Sequence, residues 1–447
     1  MVKLKKIKVY FYSDWFIITI ATFVTLSWYF KIDIIGYIVM FSLVAFLLFV
    51  TEEITPLLVL FVLGPLILQP INPHIEASKI VQYYSLTFIG IIPAALAIIF
   101  HFIYYKRKLV FGKYFLPMVA VAIAAALGGL FFYDIVRTQN VVWGLIFGVP
   151  YLLLYFLFSN YLDDNDKTDI IIFFAKIIMW AGIVIMIQMT LFLVGKEDIM
   201  KEILSKNIKL GWGVTNMIAN MFLFIIPFTL FLSTKLKRGY IYIVITAFMY
   251  LYSIITLSRG GLAVLALMLP FYLYFTYKKS EDNNKKNLLI IFGIISIIVI
   301  SIFIVFHNNI ILIAQVMFQK GLSTSGRADL FSIGINSFLK NPLFGSGFAY
   351  LGPFDGKSFQ WYHSTFFQIV ASTGIIGIIA YGYQYFIKYK LILQNRSKFN
   401  LFVLLAFIGA EIYALMETAT FMPSPFMIYF TLIIVIIEIN NKRHEAT

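Results

Sequence analysis

The chain has 447 residues, of which 61% are hydrophobic and 13% charged, with no cysteine and a formal net charge of +14. So apolar a composition excludes a water-soluble globular enzyme, and the lack of cysteine excludes disulfides, thiolate catalysis and cysteine-bound metal. Lysines and arginines fall in short clusters between apolar runs and not along one stripe, so they read as membrane-topology signals, and nucleic acid is not an expected partner.

Apolar runs long enough to cross about 30 Å of hydrocarbon recur from one end to the other. The expected fold is all-α: a polytopic membrane helix bundle of about 14 (12–14) transmembrane helices, one integral membrane domain over residues 1–447. The first run, "MVKLKKIKVYFYSDWFIITIATFVTLSWYF", has the basic start and apolar core of a signal peptide. It lacks a small-residue cleavage site and reads as an uncleaved first helix. Helices are predicted at roughly 14–30, 34–50, 55–69, 85–105, 115–133, 141–160 and 169–194, then 214–233, 240–257, 260–277, 287–306, 364–388, 398–417 and 423–439. The third is short and broken by Gly64 and Pro65.

An even number of spans puts both termini on one side, and the basic "KLKKIK" and "NKRH" make that side cytoplasmic. The basic loops "YYKRKLVFGK", "STKLKRG", "YKKSEDNNKK" and "KYKLILQNRSK" agree. The acidic "NYLDDNDKTD" and "TEEIT" do not, but Asp and Glu contribute little to orientation. A long loop, 306–362, then lies on the outer face and exceeds what a connector needs. Inside it "TSGRADLFSIGINSFLKNP" predicts an amphipathic helix with Ser325 as N-cap and Pro342 as stop. "GKEDIMKEILSKNIKLGWG" is a second charged outer segment.

Arginine placement carries most of the information. Arg107, Arg238, Arg396 and Arg443 fall on the cytoplasmic side, whereas Arg137, Arg259 and Arg327 face outward. From Gly239 to Tyr277 the chain has no acidic or basic side chain except Arg259. As one helix this stretch would span about 58 Å, roughly twice the hydrocarbon thickness, so it folds back, with "SRGG" as the turn. An arginine snorkelling to headgroups fits that position as well as one that binds a ligand. The two glycines after it, which let a backbone approach a ligand closely, favour the ligand. Of the histidines, His363 stands where the long loop joins the next helix, in "WYHSTFFQIVASTGIIG". Alone it is more often an ordinary interface residue; its company with the outward arginines singles it out.

These strings together, "SRGG", "SGRADLFSIGINSFLKNPLFGSGF" and "HSTFFQIVASTGIIG", resemble the O-antigen ligase/polymerase family of bacterial envelope glycosyltransferases in order and topology. "GWGVTNMIANMFLFIIPF", with Asn216 and Pro227, resembles the family's upstream segment, so the motif-bearing region runs over about 210–380. Two positions depart from the pattern: Ser364 stands where Asn is usual, and Ser372 where an acid is frequent. Glu411 and Glu417 are the candidates to supply that acid to the substrate site, since an acid within a span is rarely idle.

The resemblance implies transfer of a glycan from an undecaprenyl-diphosphate carrier to a hydroxyl acceptor, itself a glycan, lipid or wall polymer. The setting is the outer leaflet of the bacterial plasma membrane, with the lipid bilayer around the protein and other polysaccharide-assembly proteins as candidate partners. Under it Arg259 and Arg327 hold the diphosphate through forked donors and steady its departing charge. His363 serves as general base, and attack from the opposite face inverts the anomeric carbon. Arg137 and Asn216 extend the substrate-binding set, and Gly345 and Gly347 shape the loop around the sugar. No cofactor and no metal is expected, because the outer acids Glu197, Asp198, Asp329 and Asp355 are scattered.

The alternative is a lipid-linked oligosaccharide flippase, which calls for two similar halves and midplane charges that this sequence lacks. A peptidoglycan-type glycosyltransferase would need an acid in the long loop, Asp329 or Asp355. Polymerase and ligase share the same motifs. The abundance of Ile, Phe, Lys and Asn points to an AT-rich genome and a capsule, exopolysaccharide or wall-polymer role.

Overall fold

The computed structural model describes residues 9–69, 85–130, 137–162, 169–305, 327–348, 362–418 and 425–446, with residues 311 and 315. Among them the regular elements are helices: Asp14–Tyr29, Asp33–Val50, Leu57–Leu63, Phe88–Tyr105, Phe115–Leu127, Arg137–Tyr161, Ile170–Val194 and Ile199–Leu204 in the first part of the chain. Thr215–Lys235, Gly239–Ile255, Arg259–Lys279, Asp282–Val305, Arg327–Lys340, Thr365–Leu393, Lys398–Ala414 and Pro425–Ala446 follow. A helix occupies every predicted segment, and the all-helical class holds. The count of crossings is another matter, because seven of the described helices are long and apolar enough to cross a membrane. The segment predicted at 55–69 is a seven-residue helix, Leu57–Leu63, continued as a 3-10 turn over Gly64–Ile67 with Pro65 inside it.

Outward-facing apolar residues show which solvent these helices suit. Along Phe88–Tyr105 the exposed side chains Ile89, Ile92, Leu96, Ile99 and Ile103 recur at helical spacing, each more than half exposed. The buried residues of the same helix are Gly90, Ala94, Ala97 and His101. Small residues inside and branched aliphatics outside is the pattern of a helix packed in hydrocarbon.

The chain divides into two compact units, Met1–Leu109 with Asn160–Ser301, and Val110–Ser159 with Ile302–Thr447. In the first, Thr215–Lys235 is apolar on all sides and buried at every residue from Ile218 to Thr234, as a central helix must be. Gly182 leaves room beside Ile170–Val194 for Met249 and Ile225, and Gly261 lets the start of Arg259–Lys279 rest on Ala219. Indole and amide groups pin the segment before the central helix: Trp28 donates to Leu210 O at 2.9 Å, Trp212 to Gln188 Oε1 at 2.9 Å, and Gln188 to Leu66 O at 2.8 Å.

In the second unit, Gly144 and Gly148 lie one turn apart and face Ala125 and Ala122, so that two helix backbones meet with almost no side chain between them. Asn400 donates to Ile392 O at 3.0 Å and to Asn441 Oδ1 at 3.1 Å, and Asn440 donates to Asn400 Oδ1 at 2.9 Å, tying three helix ends together.

The helix predicted over 364–388 is a pair of arms joined at Gly374, whose φ of 62° and ψ of −154° belong to a region open in practice to glycine alone. Thr365 and Ile369 on one arm and Tyr381 and Tyr385 on the other line the same cavity of about 330 Å³. A continuous helix would hold Thr365 and Tyr385 about 30 Å apart, so the arms fold back on each other. Such a break orphans backbone groups that need partners. The Asn341–Phe348 turn supplies them: Ser346 N–H donates to Ala371 O at 2.8 Å and Gly347 N–H to Ser372 O at 3.0 Å, while Ile375 N–H donates to Pro342 O at 2.8 Å and Ile376 N–H to Leu343 O at 3.2 Å.

Candidate functional site

Three of the residues singled out from the sequence meet in the second unit. Arg327 is the first residue of Arg327–Lys340, where the positive end of the helix dipole disfavours a cation and attracts an anion. This helix is fastened to the short arm of Thr365–Leu393 by Phe331, stacked on Phe367 with ring centroids 4.3 Å apart. Ser337 Oγ lies 3.4 Å from the Tyr362 hydroxyl, and the Tyr362 N–H donates to Gln368 Oε1 at 3.2 Å. Tyr362 is therefore buried and held on both sides of its Cα.

His363 follows directly, in a left-handed conformation with φ of 50°. Such a φ is costly for a residue with a side chain and persists where the surroundings impose it, as they do at many functional sites. Glu417, just beyond Lys398–Ala414, receives it: His363 Nδ1 is 2.9 Å from Glu417 Oε1. Thr418 N–H donates to the same oxygen at 3.2 Å, and Arg327 Nη2 lies 3.7 Å from Oε2. Thr365 Oγ1 donates to the Glu417 carbonyl at 3.3 Å, joining the short arm to this corner. Side-chain exposure falls from 40% for His363 and 29% for Arg327 to 9% for Glu417. The carboxylate thus forms the floor, with the imidazole and the guanidinium reaching outward from it.

The other expected residues fall elsewhere. Glu411 accepts from Lys388 and Tyr389, so of the two acids it is Glu417 that faces His363. Lys388, 1% exposed, lies over the rings of Tyr385 at 3.6 Å and Phe407 at 5.1 Å, and its pairing with Glu411 keeps both charges satisfied. Gly345 and Gly347, with φ of 65° and 81°, face the broken helix: a Cβ on Gly345 would lie 2.5 Å from the Ser372 carbonyl carbon. Ser372, in the position where an acid is frequent, accepts from Gln368 Nε2 at 3.0 Å.

Arg259 and Asn216 belong to the first unit. Gly239–Ile255 and Arg259–Lys279 are separate helices, as the length of the apolar run requires. Leu257 turns the chain with φ of 48°, Thr256 Oγ1 accepts from Ser258 N–H at 3.3 Å, and Ser258 Oγ caps the second helix by accepting from Gly261 N–H at 3.4 Å. Arg259 is the first residue of that helix, again at the positive end of a dipole. Ala219, which Gly261 touches, is one turn along from Asn216. Arg137 heads Arg137–Tyr161, but its side chain lies outside the described residues, as do Ser325, Asp355 and most of the 306–362 loop. Among the described residues, no group of three or more His, Asp or Glu side chains is placed to hold a metal ion.

Residues 242–382 match the family model described as O-antigen ligase. The matched stretch contains Arg259, Arg327, Gly345, Gly347 and His363, and ends before Glu411 and Glu417. No curated protein matches the chain. The match supports assignment to the O-antigen ligase/polymerase family and agrees with the motifs read from the sequence.

Proposed function

We propose, on this family assignment, that the chain is a membrane glycosyltransferase of surface-polysaccharide assembly. It moves a glycan from undecaprenyl diphosphate to a hydroxyl of a second glycan, a lipid or a wall polymer at the outer leaflet of the bacterial plasma membrane. The observation that carries this reading is the gathering of a base and a permanent cation, His363 and Arg327, around one buried carboxylate at a strained backbone position. A base within reach of a cation is what a reaction needs when it deprotonates a hydroxyl and expels a diphosphate.

In this reaction His363 takes the acceptor proton while the acceptor oxygen bonds to the anomeric carbon. The carbon–oxygen bond to the diphosphate breaks, and its electron pair leaves on the diphosphate. Arg327, at a helix N-terminus beside His363, binds the diphosphate oxygens and stabilises the growing charge; Arg259, also at a helix N-terminus, is the second phosphate-binding cation that the motif resemblance implies. Arg137 and Asn216 contact the remainder of the donor. Gly345 and Gly347 shape the sugar site by fixing the Asn341–Phe348 turn against the reversed helix.

The test is a reaction of the purified protein with a synthetic undecaprenyl-diphosphate-linked repeat unit in vesicles. The expected result is a new glycosidic bond with stoichiometric release of undecaprenyl diphosphate. A ladder of chain lengths identifies a polymerase, and a single transfer to added acceptor a ligase. Movement of the lipid-linked unit across the bilayer with no bond formed would replace this reading with that of a flippase.

A further inference from the structure

The cavity of about 330 Å³ between the two arms of Thr365–Leu393 begins beside the corner that holds His363, because Thr365, whose hydroxyl donates to the Glu417 carbonyl, is part of its wall. The short arm has two working faces. On one, Phe367 stacks on Phe331 of the Arg327 helix, and Ala371 Cβ lies 3.8 Å from the Cβ that Gly334 of that helix lacks. On the other, Thr365, Phe366, Ile369 and Val370 line the cavity, at the spacing of a single helix face. The arm therefore separates the cavity from the helix that carries the cation. Phe366 and Leu415, each more than half exposed, mark the mouth.

Most of the lining is apolar, but it includes the rings of Tyr381 and Tyr385 and the carboxylate of Glu411. Glu411 is 19% exposed, whereas its partner Lys388 is 1% exposed and covered by aromatic rings, so the cavity meets the carboxylate and not the ammonium. One oxygen of Glu411 accepts from Lys388 and the other from Tyr389, which leaves acceptor capacity on both. The pair is neutral as a whole and calls for no charged ligand. A hydrocarbon chain would fill the volume and leave that capacity unused in a desolvated place, an unfavourable arrangement for a polar group. A neutral sugar suits both parts of the lining: the C–H faces of its ring pack on aromatic side chains, and its hydroxyls donate to a carboxylate.

We propose that this cavity is the subsite for a neutral sugar of the acceptor, held by Glu411 and by the rings of Tyr381 and Tyr385 while the attacking hydroxyl is presented to His363. This rests on the glycosyl-transfer reading above and narrows it, since the acceptor is then a glycan and not a bare lipid.

The probe is the repeat-unit glycan as its methyl glycoside, which has no hydrocarbon chain, offered as acceptor in the vesicle assay at saturating donor. Gly382 lines the cavity with no atom within 4 Å of the Cβ it lacks, so Gly382→Leu narrows the space and leaves the ion pair intact. It is expected to raise the acceptor KM about 10-fold or more while the donor KM stays within about twofold of wild type. Glu411→Gln combined with Lys388→Met removes both buried charges together, so that neither is left unpaired. That variant is expected to raise the acceptor KM about 10–100-fold, the loss of hydrogen bonds to a charged group, with kcat at saturating acceptor within about threefold. An unchanged acceptor KM in Gly382→Leu overturns the proposal, and so does an unchanged acceptor KM in the folded paired variant. A raised donor KM beside an unchanged acceptor KM also overturns it and gives the cavity to the isoprenoid chain of the donor. Wild-type transfer to the lipid-linked unit but not to the methyl glycoside overturns it as well. The two readings fail separately: a wild-type protein that forms no glycosidic bond with either acceptor removes the transfer reading, whereas bond formation with an acceptor KM indifferent to these substitutions removes the subsite alone.

Discussion

His363→Asn is expected to lower kcat for glycan transfer by about 10²–10⁴-fold, the range that a positioned general base contributes, while leaving the folded protein and its donor affinity close to wild type. Asparagine is the informative replacement because of the backbone. His363 sits at φ of 50°, and asparagine tolerates the left-handed region better than most residues, so the local conformation survives the loss of the imidazole. Alanine at the same place would mix lost chemistry with a backbone cost of roughly 1 kcal/mol. Rates measured at saturating donor over a range of acceptor concentrations check this, with thermal unfolding of the same preparations as the control for folding. Wild-type kcat in the asparagine variant would remove His363 from the chemistry.

Gly374→Ala is expected to destabilise the protein by about 3–5 kcal/mol and to abolish transfer with it. A Cβ there would meet Gly345 N and Pro342 O at 2.6 Å and the Leu343 carbonyl carbon at 2.7 Å, all of them backbone atoms that cannot rotate away. The φ of 62° adds strain. Relief requires moving the Asn341–Phe348 turn off the reversed helix, which exposes the hydrogen bonds at Ala371, Ser372, Ile375 and Ile376, each worth about 1 kcal/mol net. The short arm begins two residues after His363, so its displacement carries the base away from Glu417. Gly382 is the control: it lies on the long arm, no atom lies within 4 Å of the Cβ it lacks, and Gly382→Ala is expected to be neutral or slightly stabilising. Unfolding followed by intrinsic fluorescence in detergent distinguishes the two substitutions, and equal midpoints would show that the reversal does not hold the unit together.

Much of this was legible in the chain because apolar periodicity and length are local. The fold-back at Arg259 followed from a run too long to be one helix, and the structure ends one helix at Ile255 and begins the next at Arg259. Crossings were harder to count, since a run such as 55–69 is apolar enough to be read as a span while its backbone is divided by Gly64 and Pro65. The reversal at Gly374 was hidden for a different reason. A glycine in an apolar run looks the same whether the helix continues or not, and what decides is the set of backbone partners offered by a turn some thirty residues earlier in the chain, a non-local fact. The two acids were likewise equivalent in sequence. Glu411 and Glu417 sit six residues apart on one stretch, and only the fold shows that Lys388 and Tyr389 engage the first while His363 and Arg327 face the second. Gln368, which accepts from the Tyr362 N–H beside His363, carried no signal beyond being a polar group near a histidine.

The anomeric configuration of the bond made by the purified protein tests the central claim most directly. A donor of defined configuration, linked to undecaprenyl diphosphate, is converted in vesicles and the product linkage is assigned by its proton–carbon couplings. One displacement, with His363 deprotonating the acceptor and the arginines holding the diphosphate, predicts an inverted linkage. A retained linkage, which a single displacement from the face opposite the diphosphate cannot give, would contradict the account.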